Sequence, residues 1–261
     1  MNMMLKVCAT ALLLVPAAAF ADSAFDGTWK FSANHIQLPK KPVVFLLQDG
    51  QFTCKSCRST QTFKADGTDQ KMMGDATIDT VAITVVDANT VTSVFKLGGK
   101  TIMTRKTVLA ADGKSLVDET TSLYGAAPQT YKEKMTRISA GPEGSHAISG
   151  SWHEAKLLSS SGPSNLVTYG MTADGFTMSS NGQSYSAKFD DKQYLTKGDP
   201  AKTMVNLKKV SDTEVIETDS QGGKPVETED MTVSADGKTI HVVDTTLYNK
   251  SAQHYDLTKQ P

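Results

Sequence analysis

Residues 80–124 read TVAITVVDANTVTSVFKLGGKTIMTRKTVLAADGKSLVDETTSLY, and this stretch decides the fold. Its first seven residues are almost all β-branched, a composition that suits a pleated, half-buried strand. Asp87-Ala88-Asn89 then turns the chain, and 90–97 alternates, with Val91, Phe95 and Leu97 on one face and Thr92 and Lys96 on the other. Gly98-Gly99 makes the next turn, and 100–110 sets Ile102 and Val108 against Arg105 and Thr107. Asp112-Gly113 turns the chain again before 115–124 returns. Gly-Gly and Asp-Gly mark hairpins because the favoured two-residue turns need positive φ. Period-2 runs between closely spaced turns predict an antiparallel meander. No part of the chain beyond its first residues has helical periodicity.

Outward from this stretch, the chain repeats itself. Gly98-Gly99-Lys100 recurs as Gly222-Gly223-Lys224, 124 positions later, and Ala111-Asp112-Gly113-Lys114 as Ala235-Asp236-Gly237-Lys238. Phe52-Thr53 recurs as Phe176-Thr177, and Leu123-Tyr124 as Leu247-Tyr248. Upstream, Gly27-Thr28-Trp29 recurs as Gly150-Ser151-Trp152, and these are the only two tryptophans. A repeat of this length is a domain-sized unit. Residues 22–140 and 147–261 are therefore expected as two all-β repeats of about eight strands each, joined by a Gly/Pro-containing linker at 141–146. Closing each meander into an up-and-down barrel would remove its exposed edges.

The first 21 residues read as a secretory signal: Lys6, an apolar run from Val7 to Phe20, and Ala19-Phe20-Ala21 before Asp22. The apolar run falls short of the ~20 residues of a membrane span, and Pro16 interrupts it. Cleavage near Ala21-Asp22 and a periplasmic or secreted location are expected. The 27 basic and 28 acidic residues nearly cancel, with no long run of one sign. That balance gives no electrostatic reason to expect nucleic acid or an anionic membrane as partner. An outer-membrane barrel is disfavoured because Lys, Asp and Thr fall on both strand faces.

Cys54-Lys55-Ser56-Cys57 is the sharpest local motif. Two cysteines in an exported chain favour a disulfide. Residues i and i+3 of an extended strand lie too far apart for one, so a turn is required at Lys55-Ser56. The second repeat has Asn181-Gly182, a turn signal, in the matching segment. A redox pair would need a strand–helix context, a c-type haem would need His where Arg58 stands, and zinc would need two further ligands.

The doubled Gly-x-Trp at the start of a first strand resembles the calycin superfamily of lipocalins, avidins and fatty-acid-binding proteins. In that superfamily the tryptophan closes one end of the barrel, and a basic residue from the last strand packs on it. The resemblance implies closing residues Trp29 with Arg137 in the first repeat and Trp152 with Lys259 in the second; cation–aromatic attraction supports such pairs. It covers the first strand, the strand count and the closing base; the lipocalin Thr-Asp-Tyr motif and the biotin-lining tryptophans of avidins are missing. The chain is also similar to exported bacterial proteins of unassigned role, a likeness that carries no activity.

No catalytic, cofactor or metal signature stands out, and the five histidines are not at ligand spacing. Glu214, Glu217, Asp219, Glu227, Glu229 and Asp230 are expected on the charged outer face of a hairpin, with a calcium or acid–base site as the rival reading. The expectation is a non-enzymatic exported protein without cofactor, binding a small, partly apolar molecule inside a barrel. Alternation nominates Phe95, Met103, Tyr124 and Tyr248 to face such a ligand. The alternative is a non-catalytic envelope or interaction protein with solidly packed barrels.

Overall fold

The computed structural model describes residues 23–57, 60–74 and 77–261. The segment read as a secretory signal and its expected cleavage site lie outside the described residues. The described chain is all-β, apart from one 3-10 turn at Pro163–Asn165. The strands of the first half are β1 (Gly27–Gln37), β2 (Val43–Gln48), β3 (Gln51–Cys54), β4 (Thr62–Lys64), β5 (Gln70–Lys71), β6 (Thr80–Asp87), β7 (Thr90–Leu97), β8 (Lys100–Leu109), β9 (Ser115–Ser122) and β10 (Gln129–Ala140). Those of the second are β11 (Gly150–Ser161), β12 (Leu166–Met171), β13 (Gly175–Ser180), β14 (Gln183–Lys188), β15 (Tyr194–Leu195), β16 (Met204–Lys209), β17 (Glu214–Gln221), β18 (Lys224–Val233), β19 (Thr239–Thr246) and β20 (Ser251–Lys259).

They form two antiparallel, up-and-down sheets of ten strands each, rather than about eight, because short strands such as β4, β5 and β15 add to each meander. Each sheet curls until its ends nearly meet. An isolated bridge joins Asp66 to Thr84 in one and Ser184 to Lys197 in the other. Two nearly closed barrel-like sheets in tandem are compatible with a calycin-like fold. The hairpins form as their sequences require: Asp49-Gly50, Gly98-Gly99, Asn181-Gly182 and Gly222-Gly223 all have positive φ at both central residues.

The two sheets do not follow the two repeats. The first barrel is ordered β4-β3-β2-β11-β10-β9-β8-β7-β6-β5, and the second β14-β13-β12-β1-β20-β19-β18-β17-β16-β15. Each repeat thus gives its first strand to the other barrel. β11 lies between β10 and β2, with Trp152 opposite Arg137 and Val43. β1 lies between β20 and β12, with Trp29 opposite Lys259 and Val167. Residues 141–146, expected as a linker, lie in the connection between β10 and β11, two neighbours in one sheet. There Gly141 N–H donates to the Ser149 carbonyl at 3.0 Å, and Ser145 N–H to that of Pro142 at 3.1 Å. β10 and β11 pair as consecutive strands commonly do, whereas β1 and β2, also consecutive, lie in different sheets.

The cores follow the exchange. Phe25 and Trp29 pack with Phe176, Leu207, Met231 and Ile240 of the second repeat. Ile148 and Trp152 pack with Phe45, Ile83, Val91 and Leu116 of the first. Both tryptophans are 0% exposed. Each indole N–H donates to the carbonyl four residues upstream, Trp29 to Phe25 at 2.8 Å and Trp152 to Ile148 at 3.0 Å. Gly-x-Trp needs its glycine here: Gly150 has φ 140°, and a Cβ there would collide with the Ser139 carbonyl.

Candidate functional site

The basic residues implied by the calycin resemblance do cover the tryptophans, but with partners exchanged. Arg137 lies over Trp152 at 4.1 Å, and Lys259 Nζ over Trp29 at 5.2 Å. The pairing of Trp29 with Arg137 and Trp152 with Lys259 is corrected by the strand exchange. Arg137 also donates to three backbone carbonyls: Gly113 at 2.6 Å, Ser149 at 2.8 Å and Ala147 at 2.6 Å. It therefore ties the β10–β11 connection to the closed end of the first barrel.

At the opposite end of the second barrel the inner face changes character. Along β17 it runs Val215, Glu217, Asp219; along β18 from Val233 and Met231 to Glu229 and Glu227; along β19 from Ile240 and Val242 to Asp244. The tryptophan end is apolar and the far end acidic. Glu217 and Asp244 are only 7% and 8% exposed. The expected outer-face placement is therefore overturned for Glu217, Asp219, Glu227 and Glu229, while Glu214 and Asp230 lie on the opposite face by alternation. The missed signal was phase: these carboxylates stand two residues apart from Val215, Met231 and Val233, in step with the core.

The register sets the acids against one another. Glu217 faces Glu229, Asp219 faces Glu227, and Glu229 faces Asp244 on its other side. Tyr185 donates its hydroxyl to Glu217 Oε2. Gln253 Nε2 donates to Asp244 Oδ2 at 2.6 Å. Burial, then the neighbouring Asp219, pushes Glu217 well above the usual carboxylate range. Burial and then Glu217 and Asp244 do the same to Glu229. Asp219 rises to about 6, chiefly through burial, with Asp199 and Asp244 adding repulsion.

These acids border a cavity of about 540 Å³. Phe31, Val167, Tyr169, Tyr255 and Leu257 supply apolar and aromatic walls, and Glu217, Asp219 and Glu229 a polar one. Phe31 and Tyr255 are in ring contact at 5.5 Å. The first barrel contributes the remaining side through Tyr131 and Glu133 of β10 and Leu157 of β11.

The first barrel is built differently inside. Its apolar cavity measures only about 70 Å³, lined by residues such as Phe45, Phe63 and Ile83. Its buried acids surround Arg105, which donates to Thr120 Oγ1 at 3.4 Å and stacks 6.0 Å from the Phe95 ring. Thr107 donates its hydroxyl to Asp118. Burial and then Glu133 raise Glu154 to about 7, and Arg105 opposes the rise.

The nominated ligand-facing residues scatter. Phe95 lines the small first-barrel cavity. Met103 lies across from Phe95 and lines none of these cavities. Tyr124 borders a cavity of about 260 Å³ at the junction with the Asn181-Gly182 turn. Tyr248 is 50% exposed and borders one of about 270 Å³ at the acidic end of the first barrel. None of the four reaches the large cavity.

The Cys54–Cys57 disulfide is formed across the expected turn, with Cα atoms 5.5 Å apart. His35 and His241, distant in sequence, both bond Asp256 on the second barrel's surface, at 2.9 and 2.7 Å. Among the described residues no three His, Cys, Asp or Glu side chains converge as they would around a metal ion. No described helix is long and apolar enough to cross a membrane. No protein-family model matches the chain, and no curated protein matches it.

Proposed function

We propose that this is an exported, calycin-like binding protein without catalytic activity, which holds a small, partly apolar ligand in its second barrel. The observation that carries the reading is the cavity of about 540 Å³, a size typical of small-molecule sites. Its walls have the composition such sites use, with several apolar and aromatic side chains and a few grouped polar ones. Through strand exchange the first repeat lends β1 to the ligand-holding barrel, and the first barrel forms the cavity's remaining wall.

The first barrel offers less room: its apolar cavity is about 70 Å³, and the cavity at its acidic end, about 270 Å³, is half the size of the second barrel's. In this division of labour the first barrel is scaffold and the second is receptor.

The test is native mass spectrometry of the full chain purified from its export compartment, beside Val167→Trp, which fills the cavity wall. The expected result is a reproducible small-molecule adduct on the wild type that the variant lacks. An adduct retained equally by both would place the ligand elsewhere. A wild type that retains nothing and is not heat-stabilised by any amphiphile would remove the binding reading.

A further inference from the structure

We infer that the ligand of the second barrel is a small organic ammonium ion, with its charged head at Glu217 and Glu229 and its apolar body against Phe31, Tyr169 and Tyr255. The inference rests on the binding reading of this cavity and adds the ligand's charge.

Four observations point to a cationic ligand. First, the register places like groups directly opposite one another, Glu217 against Glu229 and Glu229 against Asp244, an arrangement that destabilises a sheet. Second, the described residues lining the cavity include Glu133, Glu217, Asp219 and Glu229 but no lysine, arginine or histidine. Third, the duplication provides an internal control. Arg105 of β8 faces Ser93 and Thr120, and 124 positions later Glu229 of β18 faces Glu217 and Asp244. Where the first barrel carries its own guanidinium among its acids, the second carries another carboxylate. Fourth, Gln129, more than nine-tenths buried and part of the cavity lining, keeps Oε1 without a hydrogen-bond partner among the described residues. A buried acceptor left unmet costs free energy that a donor from a bound molecule recovers.

The shape of the site selects the kind of cation. A metal ion draws its ligands to a point, and no such convergence of three acids exists among the described residues. Here the carboxylates are spread along three strands beside aromatic rings. That suits a bulky cation whose N–H groups reach several oxygens while its carbon skeleton lies on Tyr169 and Tyr255. A neutral or anionic amphiphile of equal size would meet the same apolar wall but would leave the acids uncompensated.

The experiment compares three probes of one chain length, octylamine, octanol and octanoate, by isothermal titration of the full chain at pH 8. At that pH an alkylamine is protonated, as a lysine is. The expected order is octylammonium at least tenfold tighter than octanol, with octanoate weakest. In Glu217→Gln/Glu229→Gln the amine's advantage is expected to fall below threefold while octanol is unchanged. Octanol binding as tightly as octylammonium overturns the charge assignment and leaves the binding reading standing. Binding of none of the three overturns both. The wild-type series decides the question even if the double variant does not fold.

Discussion

Replacing Asp219 by Asn tests whether the acidic lumen is as costly as the structure makes it. A carboxyl whose folded pKa is raised binds its proton more tightly folded than unfolded. Its favourable share is therefore complete below the unfolded value and is lost as pH rises through the folded one. For Asp219 those values are 3.8 and about 6. At 1.36 kcal/mol per pH unit, the group alone removes about 3 kcal/mol of stability between roughly pH 4 and pH 7. Glu217 and Glu229 are raised further, so the loss continues above that window. Asp66, Asp87, Asp190, Asp212 and Asp236 are lowered by local hydrogen bonds and work in the opposite direction. They are ionised in both states by pH 5 and add no slope between pH 5 and pH 8, and comparison with Asp219→Asn over that range isolates the share of Asp219. The assay is the thermal midpoint of the ligand-free chain across that range at constant ionic strength. At ~2–4 °C per kcal/mol for a chain of this size, the wild type is expected to lose at least several degrees. Asp219→Asn is expected to lose distinctly less and to exceed the wild type at pH 8. A wild-type midpoint that stays level or climbs towards pH 8, or an Asn variant with the same slope, would refute the argument.

The strand exchange predicts crossed effects of the two tryptophans. Trp29→Ala should cost about 3–5 kcal/mol and speed amide exchange first in β16–β20, whereas Trp152→Ala should do so in β6–β9; the uncrossed pattern would contradict the topology. Removing the disulfide with Cys54→Ser/Cys57→Ser should lower stability by about 2 kcal/mol or less, because the loop it closes is only four residues long. A urea-midpoint loss above ~5 kcal/mol would mean that the bridge does more than close a turn. Arg105→Leu should destabilise the first barrel by about 3 kcal/mol at pH 8 and by less at pH 5, where Glu154 takes up a proton. Equal losses at the two pH values would show that Arg105 does not balance those acids.

The meander, the duplication and the disulfide turn were legible because each is written locally. Gly98-Gly99 and Asn181-Gly182 force their hairpins whatever lies around them, and Cys54-x-x-Cys57 can close only across a turn. The partner of the first strand was not legible. Both first strands present the same Gly-x-Trp face, and Trp29 fits beside Val167 as well as an unexchanged strand would fit beside Val43. What decides between them is a connection. β10 and β11 are joined by nine residues, 141–149, that bond to one another and to Arg137, so they stay adjacent and β1 is left to complete the other sheet.

The acidic lumen was misplaced for a different reason. Charge is ordinarily read as solvent exposure, and a hairpin rich in Glu and Asp is then assigned outward. The period of the sequence contradicts that habit, since Val215-x-Glu217-x-Asp219 and Glu227-x-Glu229-x-Met231-x-Val233 place every acid in phase with a buried apolar residue. Where phase and polarity disagree, phase fixes direction, because a one-residue slip would expose Val215, Met231 and Val233 together. The polarity must then be explained by what the lumen meets. The first barrel answers with Arg105, and the second has Glu229 at the same place in the repeat. Two copies of one scaffold differ at this position, one with a guanidinium among its acids and smaller cavities, the other with a further carboxylate and a cavity of about 540 Å³, and that contrast is the physical basis of the proposal that the second barrel takes a cationic ligand.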